Sequence, residues 1–166
     1  IMPSLVGSEM CIRDRTSAIC NSFKQEILVE GHNFTNGTDA FKLSLYTSSA
    51  TLSKSTTAYT APTDGTADPT NTYEVSSTST GYTTGGNALT STTPVLSSDT
   101  ACCLFASTSW GSTASFTARG CLIYNSTNSN KAVCAINFGA DKTVTTGTFT
   151  IQFPAQTAGN AIIQIA

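Results

Sequence analysis

The chain is poor in the side chains that most enzymes use for chemistry. Its 166 residues include a single histidine, only eight Lys and Arg, and ten Asp and Glu. A Ser–His–acid triad needs a histidine to move the proton, so His32 would have to supply it. His32 lies in a Gly-His-Asn turn, and no nucleophile-elbow pattern occurs in the chain. We therefore expect a capping or surface histidine.

Acidic residues are scattered, and the net charge of −2 is small. This charge favours neither a nucleic-acid backbone nor an acidic membrane as a partner, and no run of about 20 apolar residues occurs. No two carboxylates stand out as a glycosidase pair. Asp64 and Asp68 share a loop that lacks the ordered ligands of a defined calcium site. The sequence predicts no catalytic residue, no metal and no cofactor.

The cysteines form no framework. Six are present, and setting Cys11 aside with the first fifteen residues leaves an odd number with no C-x-x-C spacing. We expect reduced, buried thiols that pack as small apolar groups. Cys121 and Cys134 flank a candidate hairpin, and whether they form a disulfide stays open.

What the chain does have is Ser and Thr, about three in ten residues, interleaved with apolar residues from Phe41 onward. Thr suits the solvent side of strands and Ser suits turns. Residues 1–15 (IMPSLVGSEMCIRDR) read differently and resemble a translated sequencing adapter, so we treat them as an artefactual or disordered extension. Residues 16–166 have the length of one domain.

Periodicity predicts one helix followed by strands. Ile19, Phe23 and Ile27 share a stripe, which predicts an amphipathic helix over residues 17–30 with Thr16 or Ser17 as the N-cap. Clean alternation predicts a strand over residues 41–46, and residues 47–71 are expected to form a long surface loop.

Further strands are expected across the C-terminal half. A polar loop joins residues 115–124 to 131–138 as a hairpin, with a turn at Trp110, and further strands cover 101–106, 148–153 and 160–166. The fold class is mainly β: an antiparallel β-sandwich or jelly-roll-like barrel with one N-terminal amphipathic helix.

Large aromatic side chains are the candidates for contact with a ligand or partner. They fall near loops or at outward strand positions, where rings can stack on sugars or enter an interface. These residues are Tyr46, Tyr59, Tyr73, Tyr82 and Trp110. Arg119, isolated on a strand, is expected to pair with a nearby acid or a neighbouring subunit.

Several segments carry a resemblance to a known group of proteins. They are ICNSFKQEIL with GHNF (19–34), FKLSLYTSSATL (41–52), TGYTTGGNAL (80–89), TARGCLIYN (117–125), NFGADKTVTTGTFTIQFP (137–154) and NAIIQIA (160–166). These segments resemble small virion structural proteins of tailed bacteriophages, over nearly everything after Arg15. That family has no catalytic motif to carry over.

The resemblance implies a non-enzymatic virion protein. We expect a capsid decoration or head/tail accessory subunit, located in the virion, that forms homo-oligomers and contacts other capsid or tail proteins through many weak contacts. The alternative is a tail or adhesin module that binds host glycans or a receptor through the rings named above. Neither hypothesis involves nucleic acid or a membrane.

Overall fold

A computed structural model describes residues 17–70 and 72–166, so the N-terminal extension predicted for residues 1–15 lies outside the described residues. The fold is mainly β, with two antiparallel sheets arranged as in a β-sandwich and one short helix. No helix among the described residues has the length and apolar character needed to cross a membrane.

The larger sheet has five strands in the order β1-β7-β6-β2-β3. They are β1 (Ala18–Ile19), β2 (Phe41–Tyr46), β3 (Asn87–Leu89), β6 (Thr108–Asn125) and β7 (Lys131–Ile151). The alternation predicted for β2 is confirmed, with Phe41 and Leu45 opposite Asn125 and Cys121 on β6. Both faces of β2 are covered, however, because Ser44 and Tyr46 are buried as well.

The β6–β7 hairpin dominates this sheet. The predicted pairing of residues 115–124 with 131–138 is confirmed, but both strands run further than expected. Trp110 lies in β6 opposite Phe149 rather than in a turn, and residues 148–151 continue β7 rather than forming a separate strand. Register shifts near Ala114 and Gly120 interrupt the regular pairing along this hairpin.

The smaller sheet has the order β4-β5-β8. Its strands are β4 (Val95–Ser97), β5 (Thr100–Cys103) and β8 (Ile163–Ile165). β5 and β8 confirm strands predicted near residues 101–106 and 160–166. Pro94 comes directly before edge strand β4, where a missing backbone N–H costs no ladder hydrogen bond.

The helix is shorter than predicted. It spans Asn21–Glu26 (α1) and continues as a 3-10 turn over Ile27–Val29. Residues 18–19 pair with β7 instead, and the Oγ of Ser17 accepts a hydrogen bond from the backbone N–H of Asn137 at 2.8 Å. Ser17 is therefore not an N-cap, and the other candidate, Thr16, lies outside the described residues. The helix turns Phe23 into the core against Phe34.

Candidate functional site

The most unusual polar group is a buried carboxylate in the long loop after β2. Glu74 is 0% exposed and forms an isolated β-bridge with Tyr46. One carboxylate oxygen accepts hydrogen bonds from the Tyr82 hydroxyl at 2.6 Å and the Gly85 backbone N–H at 2.8 Å. The other accepts one from the Tyr59 hydroxyl at 3.0 Å. We call Glu74 with these three donors the Glu74 cage.

The cage has no cationic member among the described residues, so hydrogen bonds alone compensate for burial of the carboxylate. Burial raises the pKa of Glu74 above its ordinary 4.5, and the three hydrogen bonds offset part of that rise. Burial, with the nearby carboxylate, also raises the pKa of Tyr59 and Tyr82 above 10.0. Each hydroxyl therefore remains a donor at neutral pH.

The cage ties the loop to the large sheet. The Tyr82 hydroxyl accepts a hydrogen bond from the Leu45 backbone N–H at 3.0 Å, and Tyr124 on β6 donates to the Gly85 carbonyl at 2.8 Å. Gly86 has a φ of +75°, and a Cβ at this position would overlap the Leu43 backbone carbonyl. Only glycine fits this approach of the loop to β2. The cage is closed to solvent, so its chemistry is structural.

A second buried polar network surrounds the histidine. His32 Nε2 lies 2.8 Å from Glu26 Oε2, and its Nδ1 lies 3.2 Å from Asn125 Nδ2. Asn125 also donates to Asp39 Oδ2 at 2.7 Å, and Lys131 Nζ lies 3.5 Å from Glu26 Oε1. Both ring nitrogens are engaged by polar side chains, and no hydroxyl or thiol of residues 17–70 or 72–166 is hydrogen-bonded to the ring. The network joins the helix to the hairpin turn, which places His32 inside rather than on the surface.

The aromatic residues predicted for contact are mostly inside. Tyr46, Tyr59, Tyr82 and Trp110 are buried, so the prediction that they occupy surface positions is wrong for these four. The reason is that the loop folds back over β2 and covers the face assigned to solvent. Only Tyr73 is exposed, at 44%, and remains available to a partner. Its backbone φ of 59° places it in the left-handed region.

Sequence reasoning missed Glu74 and Asn125. Glu74 carries no periodic signal, because its partners come from irregular segments separated by 8 to 15 residues. The one available signal was a lone glutamate within a Tyr- and Gly-containing loop of an otherwise acid-poor chain.

Arg119 confirms the expected pairing with an acid. Its Nη1 lies 3.4 Å from Asp141 Oδ1. It also lines a small half-open pocket of about 30 Å³, where residues 47–52 cross the hairpin. The pocket is otherwise mostly apolar, with Ala50, Leu52 and Ile136 among its lining residues. The Nε of Arg119 is a buried donor without a hydrogen-bond partner among the described residues.

The cysteines of the described chain are free and buried, as expected. Burial raises the pKa of the Cys20 thiol to about 11 and that of Cys103 to about 12. Within residues 17–70 and 72–166, no group of three or more His, Cys, Asp or Glu side chains is arranged to hold a metal ion.

Known proteins add no constraint to this geometry. Neither a protein-family model, nor a curated protein, nor a solved structure gives a significant match to the chain.

Proposed function

We propose that this protein is a non-enzymatic virion structural subunit of a tailed bacteriophage, a capsid decoration or head/tail accessory protein. The observation that carries the proposal is that the notable polar side chains lie inside the fold, where they form hydrogen bonds with the chain itself. Glu74, His32 and Asn125 are buried, and each is hydrogen-bonded to side chains or backbone from other parts of the chain, which ties those segments together. The side chains left at the surface suit contact with other proteins.

The outer half of the β6–β7 hairpin supports the same role. Residues 139–150 of β7 include five exposed threonines, and among the described residues β6 alone pairs with this segment. Thr117 and Thr143 bond across the exposed face at 2.8 Å. A threonine-rich strand pair of this kind offers repeated weak contacts. Many copies on one particle would then hold by effective concentration.

Host-glycan binding has less support. Sugar stacking needs accessible rings, and four of the five candidates are buried. Tyr73 alone keeps this alternative testable: glycan-array binding that disappears in Tyr73→Ala, with folding intact, would favour it over a structural role.

The test uses particles of the phage that carries the gene. Particles assembled with and without the protein are compared by negative-stain microscopy and by heat resistance. We expect added surface density and greater resistance when the protein is present. Identical particles, with no protein retained after purification, would contradict the proposal.

A further inference from the structure

A pair of exposed apolar residues projects from the turn after the helix. Leu28 is 83% exposed and Val29 is 71% exposed. Among the large hydrophobic side chains of the described residues, these exposed fractions rank first and third. Glu30 follows directly and makes no ion pair or side-chain hydrogen bond with a described residue. We call Leu28, Val29 and Glu30 the knob.

The backbone turn that carries the knob is fixed by two hydrogen bonds. Gly31 N–H donates to the Glu26 carbonyl at 2.7 Å, which closes the turn. Asn128 Nδ2 donates to the Gly31 carbonyl at 2.6 Å, which fixes the turn to the β6–β7 connection. An ordered apolar projection loses little conformational entropy on binding, so it is suited to an interface.

The pocket beside Arg119 has the complementary character. Ala50, Leu52 and Ile136 give it an apolar lining, and its small volume of about 30 Å³ limits an occupant to the tip of a single side chain. Arg119 places a guanidinium at this pocket, and its ion pair with Asp141 is long, at 3.4 Å, and exposed to solvent. Its side chain is 30% exposed, so a carboxylate from outside can reach the guanidinium beside Asp141.

The knob, with its apolar tip and the acid Glu30, therefore matches the apolar pocket beside the cation Arg119. We propose that copies of this chain associate head to tail, with Leu28 of one copy in the pocket of the next and Glu30 paired with Arg119. The inference rests on the proposed function and specifies how its copies join.

The two surfaces lie apart on the chain. The knob is fixed beside residues 128–131, whereas the pocket includes residues 135–137, roughly 20 Å further along β7. A joint made in one direction leaves a free knob on one copy and a free pocket on the other, so repeating it builds a ring or a filament, which is the heterologous arrangement that we propose. Either product is an arrangement that a lattice-forming subunit needs. The same joint made reciprocally would close a two-fold dimer, so association that stops at two copies would contradict the head-to-tail arrangement.

The first experiment measures self-association by sedimentation velocity over a concentration series. Leu28→Asp should weaken association by about tenfold or more, because it places a charge in an apolar pocket. The matched control is Leu96→Asp, the same substitution at a residue that is 74% exposed on the smaller sheet, and it should have no effect. A wild-type protein that stays monomeric, or a stronger effect from Leu96→Asp, would overturn the proposal.

The second experiment tests the direction of the contact. Arg119→Glu should also weaken association, and combining it with Glu30→Arg should restore it. Leu28→Asp and Arg119→Glu each keep one intact surface, so a mixture should form a one-to-one complex that neither forms alone. No complex on mixing would exclude a head-to-tail joint. Circular dichroism of each variant checks that folding is unchanged.

Failure of this inference is separable from failure of the proposed function. If wild-type protein binds phage particles but does not self-associate through the knob, the proposed function is supported and the proposed knob-to-pocket contact is contradicted. Wild-type protein that self-associates as described but never binds particles would retain the joint and contradict the virion role.

Discussion

Tyr59 and Tyr124 lie face to face, with ring centroids 4.5 Å apart and ring planes inclined by 9°. Their hydroxyls bond to different members of the Glu74 cage: Tyr59 donates to Glu74, and Tyr124 donates to the Gly85 carbonyl. The stacked pair thus joins a loop residue to a central strand residue, and it aligns both hydroxyls at the Glu74 cage. Stability should depend on this arrangement more than on any surface feature.

Removing the carboxylate should strongly destabilise the fold. Glu74→Ala leaves two tyrosine hydroxyls and one backbone N–H buried without an acceptor, at a cost of about 3 kcal/mol or more in the free energy of unfolding. Tyr59→Phe removes one donor and should cost about 1 kcal/mol. Urea denaturation measures both. Equal small losses for the two variants would mean that water replaces the carboxylate.

The same carboxylate should make stability depend on pH. Its folded-state pKa is raised above 4.5, so the folded state binds the proton more tightly than the unfolded state does. Protonated Glu74 therefore adds to the free energy of unfolding in full when the pH lies below its unfolded-state pKa. This contribution is lost as the pH rises through the folded-state pKa. The free energy of unfolding of wild type, relative to the non-titrating Glu74→Gln, should therefore fall as pH rises from about 4.5. A difference that rises with pH would contradict the assignment.

Two glycines with similar backbone angles should differ sharply in their tolerance of alanine. Gly37 has a φ of +83°, and a Cβ at this position would meet no atom within 4 Å. Gly37→Ala should therefore cost about 1–2 kcal/mol from backbone strain alone. Gly86, at +75°, adds an overlap with the Leu43 backbone. Gly86→Ala should prevent folding or cost several times more. Comparable melting temperatures for the two variants would refute the close approach.

The buried thiols should be unreactive in the folded protein. The thiolate is the nucleophile, and burial both shields Cys20 and Cys103 and raises their pKa to about 11 and 12. A chromogenic disulfide reagent near pH 8 should label none of the five described cysteines before denaturation, and all five afterwards. Cys11→Ser removes the sixth thiol from the count. Rapid labelling of the native variant would indicate an open core.

The strands were predictable where one chemical rule dominates. β2 alternates cleanly and a polar loop marks the turn between β6 and β7, and the structure places both as expected. The predicted helix was too long because the apolar stripe through Ile19 is compatible with a helix and also with a strand. In the structure, residues 18–19 form a short pairing with β7. Local periodicity contains no information about a neighbouring strand edge.

The buried polar groups were not predictable for a related reason. Tyr46 alternates outward from Phe41 and Leu45, and that orientation is correct for an exposed sheet face. Its burial depends on residues 47–86 folding back across β2, a contact between distant segments that no spacing encodes. Glu74 and its donors meet only once that loop is in place.

The loop that carries Glu74 has consequences for peptide display on this scaffold. Residues 63–65 are exposed in a turn that the hydrogen bond from Gly65 N–H to the carbonyl of the buried Pro62 closes, and open space surrounds Gly65, so we expect a tag inserted between Asp64 and Gly65 to be tolerated. A tag a dozen or so residues further along, between Tyr73 and Gly86, would separate the carboxylate from its donors. The same polar segment therefore holds one position that should accept a graft and another that should reject it.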